Sequence, residues 1–380
     1  MTAALQRDSL ADFKEFLDNN YPRLQQKIAA FNEDSVEMAP EGFAKAMSYF
    51  THLNSGGKML RGVLANMGYY ICGGEDVEYS DDLALSLEIF QSAILVHDDL
   101  LDHGNTRRGK DTVHVHIFKE FNISNAKVLE ESPDIMKDLV NGVSVALGYI
   151  GLYMAYEKLV VTYKDNPNLI RLLHEYNDMV IKTVEGGIMD VIVPFQERFK
   201  EELPYQIPEN INQFELIENL ALLKTAYYTT MGPLILGMVL KGAPAEQTSR
   251  VADIMLDTGL AFQIQDDLLG IYADEKVLGK DVGADVIEYK QTFLYTYVKE
   301  NDEKALDELQ NYYGNSDITL KDVERVQEIF KETGAYKFAV DKMNFHYNRA
   351  KENLLKIDFL DEEGKSLILG FILYLEQRKK

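Results

Sequence analysis

The sequence predicts an all-α fold, and three observations carry that expectation. Apolar residues recur at helical spacing, as in Leu83, Leu87, Phe90, Ile94 and Leu101, and again in Val251, Ile254, Met255, Thr258 and Phe262. Runs alternating with period two, the mark of strands, are scarce. Only 9 prolines occur, and the turn signals "NSGGK", "CGGED", "YGNSD" and "KETGAY" stand apart by helix-length segments.

Taken in chain order, the first strong helical run, over 83–101, ends in the polar stretch "HDDLLDHGNTRRGK". The uncharged stretches Gly142–Tyr156 and Thr225–Leu240 read as helices buried in a large core, because both are shorter than the roughly 20 apolar residues of a membrane span. Pro233 is expected to kink or end the second. Polar segments at 119–137 and 196–213, the latter holding Pro204 and Pro208, read as surface excursions between core helices. No repeat at a fixed period and no low-complexity tract is present, so residues 1–380 are expected to form one domain and not a solenoid.

Composition narrows the function. Hydrophobic residues make up 46% and charged ones 27%, the balance of a soluble globular chain. With 39 basic and 62 acidic residues the net charge is −23, which argues against nucleic acid and against anionic lipid as partners, since both need basic faces. An anionic ligand must therefore be met by a local cluster of Lys and Arg or by metal. The only cysteine, Cys72, cannot form an internal disulfide and reads as a packing residue in a reducing cytoplasm. The N-terminus, "MTAALQRDSLADFKEF", lacks the pattern of a secretion or transit signal. A cytoplasmic chain without a transmembrane segment is expected.

The chemistry gathers at two acidic pairs. On a helix Asp98 and Asp102 stack one turn apart, with Asp99 about 100° round. Crowded carboxylates stay ionised on an apolar helix only with cations among them, and hard ions such as Mg²⁺ prefer oxygen ligands. Alone, "DDLLD" is explained as simply by an exposed acidic turn. A second pair, Asp266 and Asp267 in "FQIQDDLLG", changes that: two such pairs from two helices can hold Mg²⁺ together with a phosphate group. Lys58, Arg61, Arg107, Arg108, Lys224, Lys280 and Lys290 lie near these pairs, and in so acidic a chain their clustering points to diphosphate binding.

These residues fall in the ordered motifs "GGKMLR", "LEIFQSAILVHDDLLD", "RRG", "KTAYYT", "FQIQDDLLG" and "GKDVGADV", and through them the chain resembles the trans-isoprenyl diphosphate synthases, or polyprenyl synthetases, over about residues 54–294. The uninterrupted DDxxD and the DDxxG form of the second motif look most like geranylgeranyl diphosphate synthases of Gram-positive bacteria and archaea. The resemblance implies a single large bundle of mostly antiparallel helices around a deep central cavity, usually a homodimer. It also implies roles. Asp98, Asp102 and Asp266 would bind three Mg²⁺ ions gripping the diphosphate of an allylic substrate (dimethylallyl, geranyl or farnesyl), with Asp99 and Asp267 as closer supports. Arg107, Lys224 and Lys280 would hold that diphosphate, with Thr225 and Gln263 lining its site. Lys58, Arg61, Gln91 and Arg108 would bind isopentenyl diphosphate, and Lys290 is a further substrate-binding candidate. Asp98, Asp99, Asp102, Arg107, Lys224, Asp266 and Lys280 form the catalytic set for a Mg²⁺-dependent head-to-tail condensation through an allylic carbocation.

Two positions depart from the family pattern: Gly187 in "EGGIMD" stands where glutamine or glutamate is usual, and Tyr149 in "ALGYIG" where aspartate is common, while Asp190 matches. The histidines His97, His103, His114 and His116 invite a zinc reading, but no cysteine or third ligand accompanies them in helical register. Product length is expected to depend on the residues one turn before Asp98. Ala93 and Ile94 are not aromatic, unlike their counterparts in the family's C15 enzymes, so geranylgeranyl diphosphate or a longer product is expected over farnesyl diphosphate; Phe90, a turn further, either forms the floor or faces away. A type I terpene cyclase lacks its expected second motif here. A non-catalytic partner subunit of a heteromeric synthase commonly loses the carboxylates that this chain keeps.

Overall fold

The computed structural model describes residues 3–54, 56–121, 133–199, 211–272 and 283–378. Among these residues it is all-α apart from one small hairpin, as the apolar spacing predicts. The chain divides into two compact units. One comprises Lys14–Leu173 and Leu236–Ala243; the other comprises Met1–Phe13, His174–Ile235 and Pro244–Lys380.

In the first unit lie α1 (Ala3–Glu37) from Lys14 on, α2 (Ala44–Leu53), α3 (Leu60–Tyr70), α4 (Asp81–Leu101), α5 (113–121) and α6 (Pro133–Thr162). α4 is apolar nearly all round, with Leu83, Leu87, Ile89 and Phe90 fully buried, and it packs along α6. Two glycines of α6 permit the close approach. A Cβ at Gly148 would lie 2.2 Å from His97 Nε2, and one at Gly151 would lie 2.5 Å from the Phe50 ring and 2.9 Å from the Ala93 Cβ. Cross-helix hydrogen bonds hold the register: Ser86 Oγ donates to the Ala155 carbonyl at 2.6 Å, and His97 Nε2 lies 3.2 Å from the Val145 carbonyl.

By length and composition α6 is also apolar enough to cross a membrane. Its apolar run extends past the uncharged stretch Gly142–Tyr156, which is why the sequence reading, keyed to uninterrupted stretches, judged it too short.

α4 begins on a buried polar knot. The Asp81 carboxylate accepts from Arg23 Nε at 2.5 Å and from its Nη2 at 3.0 Å, and Asn66 Nδ2 donates to it at 2.8 Å. Asn66 in turn accepts from Ser80 Oγ at 2.8 Å. The carboxylates of Asp81 and Asp82 also suit the positive end of the α4 dipole, and Lys27 and Lys158 each reach Asp82 at 3.3 Å.

The second unit is built round α10 (Ala245–Tyr272). Against it pack a π-helix, Leu222–Met231, and α15 (Ala335–Leu355). α7 (Leu169–Arg198), α8 (Gln213–Ala221), α11 (Ala284–Ile287), α12 (Phe293–Asn301), α13 (Glu303–Leu309) and α14 (Leu320–Glu332) complete it with the last helix, α16 (Glu362–Glu376). Its core includes Leu260, Ile264, Ile271, Phe293, Leu294, Tyr295 and Phe330, all at or below 2% exposure. α14 opens on a capping box, Thr319 with Asp322. The chain ends meet: Gly370 of α16 lets that helix approach so near that a Cβ there would lie 2.0 Å from the Ser9 carbonyl, and Ser366 Oγ donates to Asp12 at 2.6 Å.

Pro233 is the second residue of α9 (Gly232–Lys241), directly after the π-helix, and its missing N–H removes one donor from a continuous helical stretch. The stretch Thr225–Leu240 is thus divided at its proline, with a π-helix before it and an α-helix after. The predicted excursions are shorter than expected, since 133–137 belong to α6, 196–198 to α7 and 213 to α8.

The polar knot generates a stability prediction. Asp81→Ala removes the carboxylate that Arg23 and Asn66 share, leaves them only the neutral Asn20 Oδ1 in common, and should cost about 3 kcal/mol, the scale for breaking a buried ion pair. Urea unfolding of the variant beside the wild type measures it; a loss below about 0.5 kcal/mol, the scale of a neutral surface change, would contradict the assignment.

Candidate active site

In the first unit, α4 delivers its acidic turn and then stops by a Schellman arrangement. Asp102 is the C-cap, His103 adopts the left-handed conformation at φ 54°, and the Gly104 N–H bonds the Asp99 carbonyl at 2.9 Å. His103 therefore serves the backbone. The chain returns through a hairpin, β1 (Thr106–Arg107) and β2 (Lys110–Asp111), whose register pairs Arg107 with Lys110. The two turn residues, Arg108 and Gly109, both have positive φ, 54° and 73°, as a two-residue I′ turn requires. Gly109 adopts this freely, whereas Arg108 is strained there, a condition often met at functional sites.

The hairpin sends its two arginines to different partners. Arg107 Nε donates to Asp99 Oδ1 at 2.6 Å and its Nη2 to Asp98 Oδ2 at 3.1 Å, so one guanidinium bridges both carboxylates. Arg108 Nη1 donates to the Gly56 carbonyl at 2.9 Å. A Cβ at Gly57, where φ is +94°, would lie 2.8 Å from the Arg108 guanidinium carbon; the backbone there needs glycine, and a side chain would also displace the guanidinium. The loop that follows, through Lys58 and the left-handed Met59, opens α3 and its Arg61.

Beneath these cations lies a residue the sequence reading missed. Glu88 is buried in α4 and accepts from the Gly62 N–H at 2.9 Å. Burial raises its pKa, while the Gly62 bond and the charges of Arg61 and Arg108 oppose the rise. Burial likewise lowers the Arg108 pKa, and Glu88 works against that. Two guanidinium groups thus act on one enclosed carboxyl, and the charge of the group stays net positive. The signal was present as a lone acid in the apolar run "LSLEIF".

Gln91 is half-buried on α4, two turns before Asp98 and on nearly the same face. Ile94, one turn before Asp98, is half-buried too. Ala93 and Phe90 are fully enclosed. Ala93 meets the gap at Gly151, and that gap is filled by the ring of Phe50 from α2. Tyr149, 56% exposed, lays its ring edge-on to His97, with centroids 5.4 Å apart. His114 bonds Thr112, and His116 stacks on His52.

In the second unit the π-helix carries Lys224 and Thr225. Gly186 of α7 and Gly259 of α10 hold it close: a Cβ at Gly186 would lie 2.2 Å from the Lys224 nitrogen, and one at Gly259 would lie 2.5 Å from the Ala226 Cβ. Lys224 Nζ pairs with Asp190. Thr225 Oγ1 donates to Gln263 Oε1 at 2.5 Å, and Gln263 Nε2 donates to Asp267 Oδ1 at 2.8 Å. Burial, then the neighbouring Asp285, push the Asp267 carboxyl well above the usual range, against the Gln263 bond. Asp266 meets Arg378 Nη1 at 2.6 Å. Lys290 pairs with Glu288 at 2.7 Å and its charge acts on Asp267. A Cβ at Gly187 would meet nothing within 4 Å, so the glycine there is not forced by space. Lys280 lies outside the described residues.

Among the described residues no three acidic or histidine side chains converge as a ready-made metal cluster. That donor set still fits Mg²⁺, which is held by one or two carboxylates plus substrate phosphate and water, not by an all-protein cage.

With this geometry in place, a model of the polyprenyl synthetase family matches residues 41–333. The chain belongs to the polyprenyl synthetase family. Its activity is that of a prenyltransferase. A geranylfarnesyl diphosphate synthase of Aeropyrum pernix is 25% identical over 91% of this chain and 98% of that one. A farnesyl pyrophosphate synthase of Candida albicans is 24% identical over 98% and 99%. Among solved structures, a geranylgeranyl pyrophosphate synthase of Corynebacterium glutamicum, complexed with isoprenyl diphosphate and magnesium, covers 99% of both chains with a TM-score of 0.77 at 22% identity, which supports the all-α isoprenoid synthase fold.

The π-helix contact generates a prediction. Gly259→Ala drives a methyl into Ala226 and should cost about 1–3 kcal/mol by overpacking, and it should separate Thr225 from Gln263. A thermal midpoint equal to the wild type would contradict the tight contact.

Proposed function

We propose that this prenyltransferase condenses isopentenyl diphosphate head-to-tail with an allylic diphosphate and releases geranylgeranyl diphosphate or a longer product. The observation that carries the reading is the pairing of each acidic motif with fixed cations: Arg107 on Asp98 and Asp99, Arg378 on Asp266. Such carboxylates suit metal ions, and the cations beside them suit diphosphate.

In this reading Asp98, Asp102 and Asp266 hold Mg²⁺, three ions with substrate bound, supported by Asp99 and Asp267. Bound Mg²⁺ neutralises the charge that develops on the departing diphosphate. Arg107, Lys224 and Lys280 bind the same group and donate to its oxygens as the allylic bond breaks. Lys58, Arg61, Gln91 and Arg108 orient isopentenyl diphosphate so that its double bond meets the cation; Glu88 sets the charge balance of the two arginines. Lys290 and the pair Thr225 and Gln263 complete the binding set. The proton lost from the adduct goes to the diphosphate oxygens, since the mechanism requires no basic side chain.

Product length in this reading ends at Phe50. Ala93 and Gly151 are small, but the Phe50 ring fills the space they leave, five residues below Asp98 or about 7.5 Å along the helix.

The chain acts as a homodimer in the cytoplasm. α7 exposes Ile181, Val184, Ile188, Val191 and Phe195, spaced three and four apart like a coiled-coil seam, and a second copy supplies the matching face.

Incubation with isopentenyl diphosphate, each allylic primer and Mg²⁺, followed by product chromatography, tests the reading; a folded sample giving no condensation product would sink it. Asp98→Ala should cut turnover by orders of magnitude with little change in thermal midpoint, because Arg107 keeps Asp99; turnover near that of the wild type would overturn the metal role. Phe50→Leu shortens the plug and should shift the product mixture toward longer chains, while an unchanged mixture would remove Phe50 from the floor.

A further inference from the structure

The C-terminal residues are bound by groups beside the second acidic motif. Gln265, 6% exposed, donates through Nε2 to the Arg378 carbonyl at 3.0 Å and reaches the Glu376 carbonyl at 3.4 Å. Tyr347 fixes the other end of that amide, its hydroxyl donating to Gln265 Oε1 at 3.2 Å. Lys351 grips the Glu376 carboxylate at 2.9 and 3.0 Å. The segment so anchored carries the Arg378 guanidinium to Asp266 Oδ1 at 2.6 Å, over the Phe262 ring at 5.0 Å from its centroid.

Asp266 and Asp267 are consecutive, and the Asp285 carboxylate lies so near that a Cβ at Gly270, one turn after Asp266, would stand 2.4 Å from its Oδ2, so this end of α10 is crowded with acid. In a metal-free protein that crowding needs a cation. Arg378 supplies one, on a carboxylate that the reading above assigns to metal.

We propose that Arg378 is a resident counter-ion of the second acidic motif, displaced when a divalent ion binds Asp266, so that metal binding and the docking of the C-terminal residues exclude one another. The proposal rests on the assignment of Asp266 as a metal carboxylate. The pair is suited to exchange. Its side chains are 28% and 35% exposed, and ion pairs so open to solvent hold weakly, whereas a divalent ion shared with diphosphate gains from several oxygens at once. Lys351 still holds Glu376, so the end of α16 stays anchored while Arg378 and its bond to Gln265 give way.

Mn²⁺ binding followed by electron paramagnetic resonance tests this without recourse to turnover. Arg378→Gln should bind Mn²⁺ several-fold more tightly than the wild type, and Asp266→Asn should both weaken binding and abolish the difference that Arg378→Gln makes. Hydrogen exchange at the Arg378 amide, which bonds the Leu375 carbonyl at 3.0 Å, should speed up when Mn²⁺ is added to the wild type. If Asp266→Asn weakens binding while Arg378→Gln matches the wild type and exchange is unaltered by metal, the counter-ion role is overturned and the metal carboxylate stands. If Asp266→Asn binds Mn²⁺ as the wild type does, both fall.

Discussion

Charge compensation on apolar helices governs this molecule. A carboxylate leaving water for a helix packed on its neighbours must find a cation or take up a proton. The chain shows both outcomes. Asp98 and Asp99 share Arg107, Asp81 takes Arg23, Asp257 takes Arg349 and His346, and Asp266 takes Arg378. Where burial prevails, against Arg61 and Arg108 at Glu88 and reinforced by Asp285 and Asp266 at Asp267, the acid is pushed toward its protonated form. Structural and functional pairs obey the same rule and differ in what lies over them. Asp81 is sealed beneath a helix start, with its partners fixed. Asp98 and Asp266 are half-open to solvent.

The all-α class was legible because helical periodicity is a property of the residues themselves. The acidic motifs and their arginines were legible for a related reason: placing three aspartates in an apolar run makes no sense without a ligand. Glu88 carried the same signal and was passed over, since a single acid in a helix is usually solvated. What the chain could not reveal was which residues stand opposite each other across a packed interface. Ala93 looked like an opening when judged by its own size. Only the meeting of α2, α4 and α6 shows that Phe50 stands with Ala93 at the gap left by Gly151. The Arg378–Asp266 pair joins residues 112 apart, and no local pattern announces such a distance.

Small residues decide the other features that escaped sequence reading. The π-helix Leu222–Met231 has no composition of its own; it exists where Gly186 and Gly259 present bare backbone on either side. Its wider turn sets the directions in which Lys224 and Thr225 leave the axis, toward Asp190 and Gln263. A periodicity of 3.6 applied to "LLKTAYYTTM" misjudges those directions, and so places the lysine and threonine correctly in the chain but not in space.

The hairpin turn has a further consequence. Arg107 and Arg108 are neighbours across one trans peptide bond, so their Cα atoms stand about 3.8 Å apart whatever the helices do. Packed helices breathe and drift with temperature, but covalent lengths do not. Two guanidinium groups set on one peptide unit therefore carry their own ruler, and under the proposed function the spacing between the two diphosphates is inherited from bond lengths instead of from the accuracy of folding.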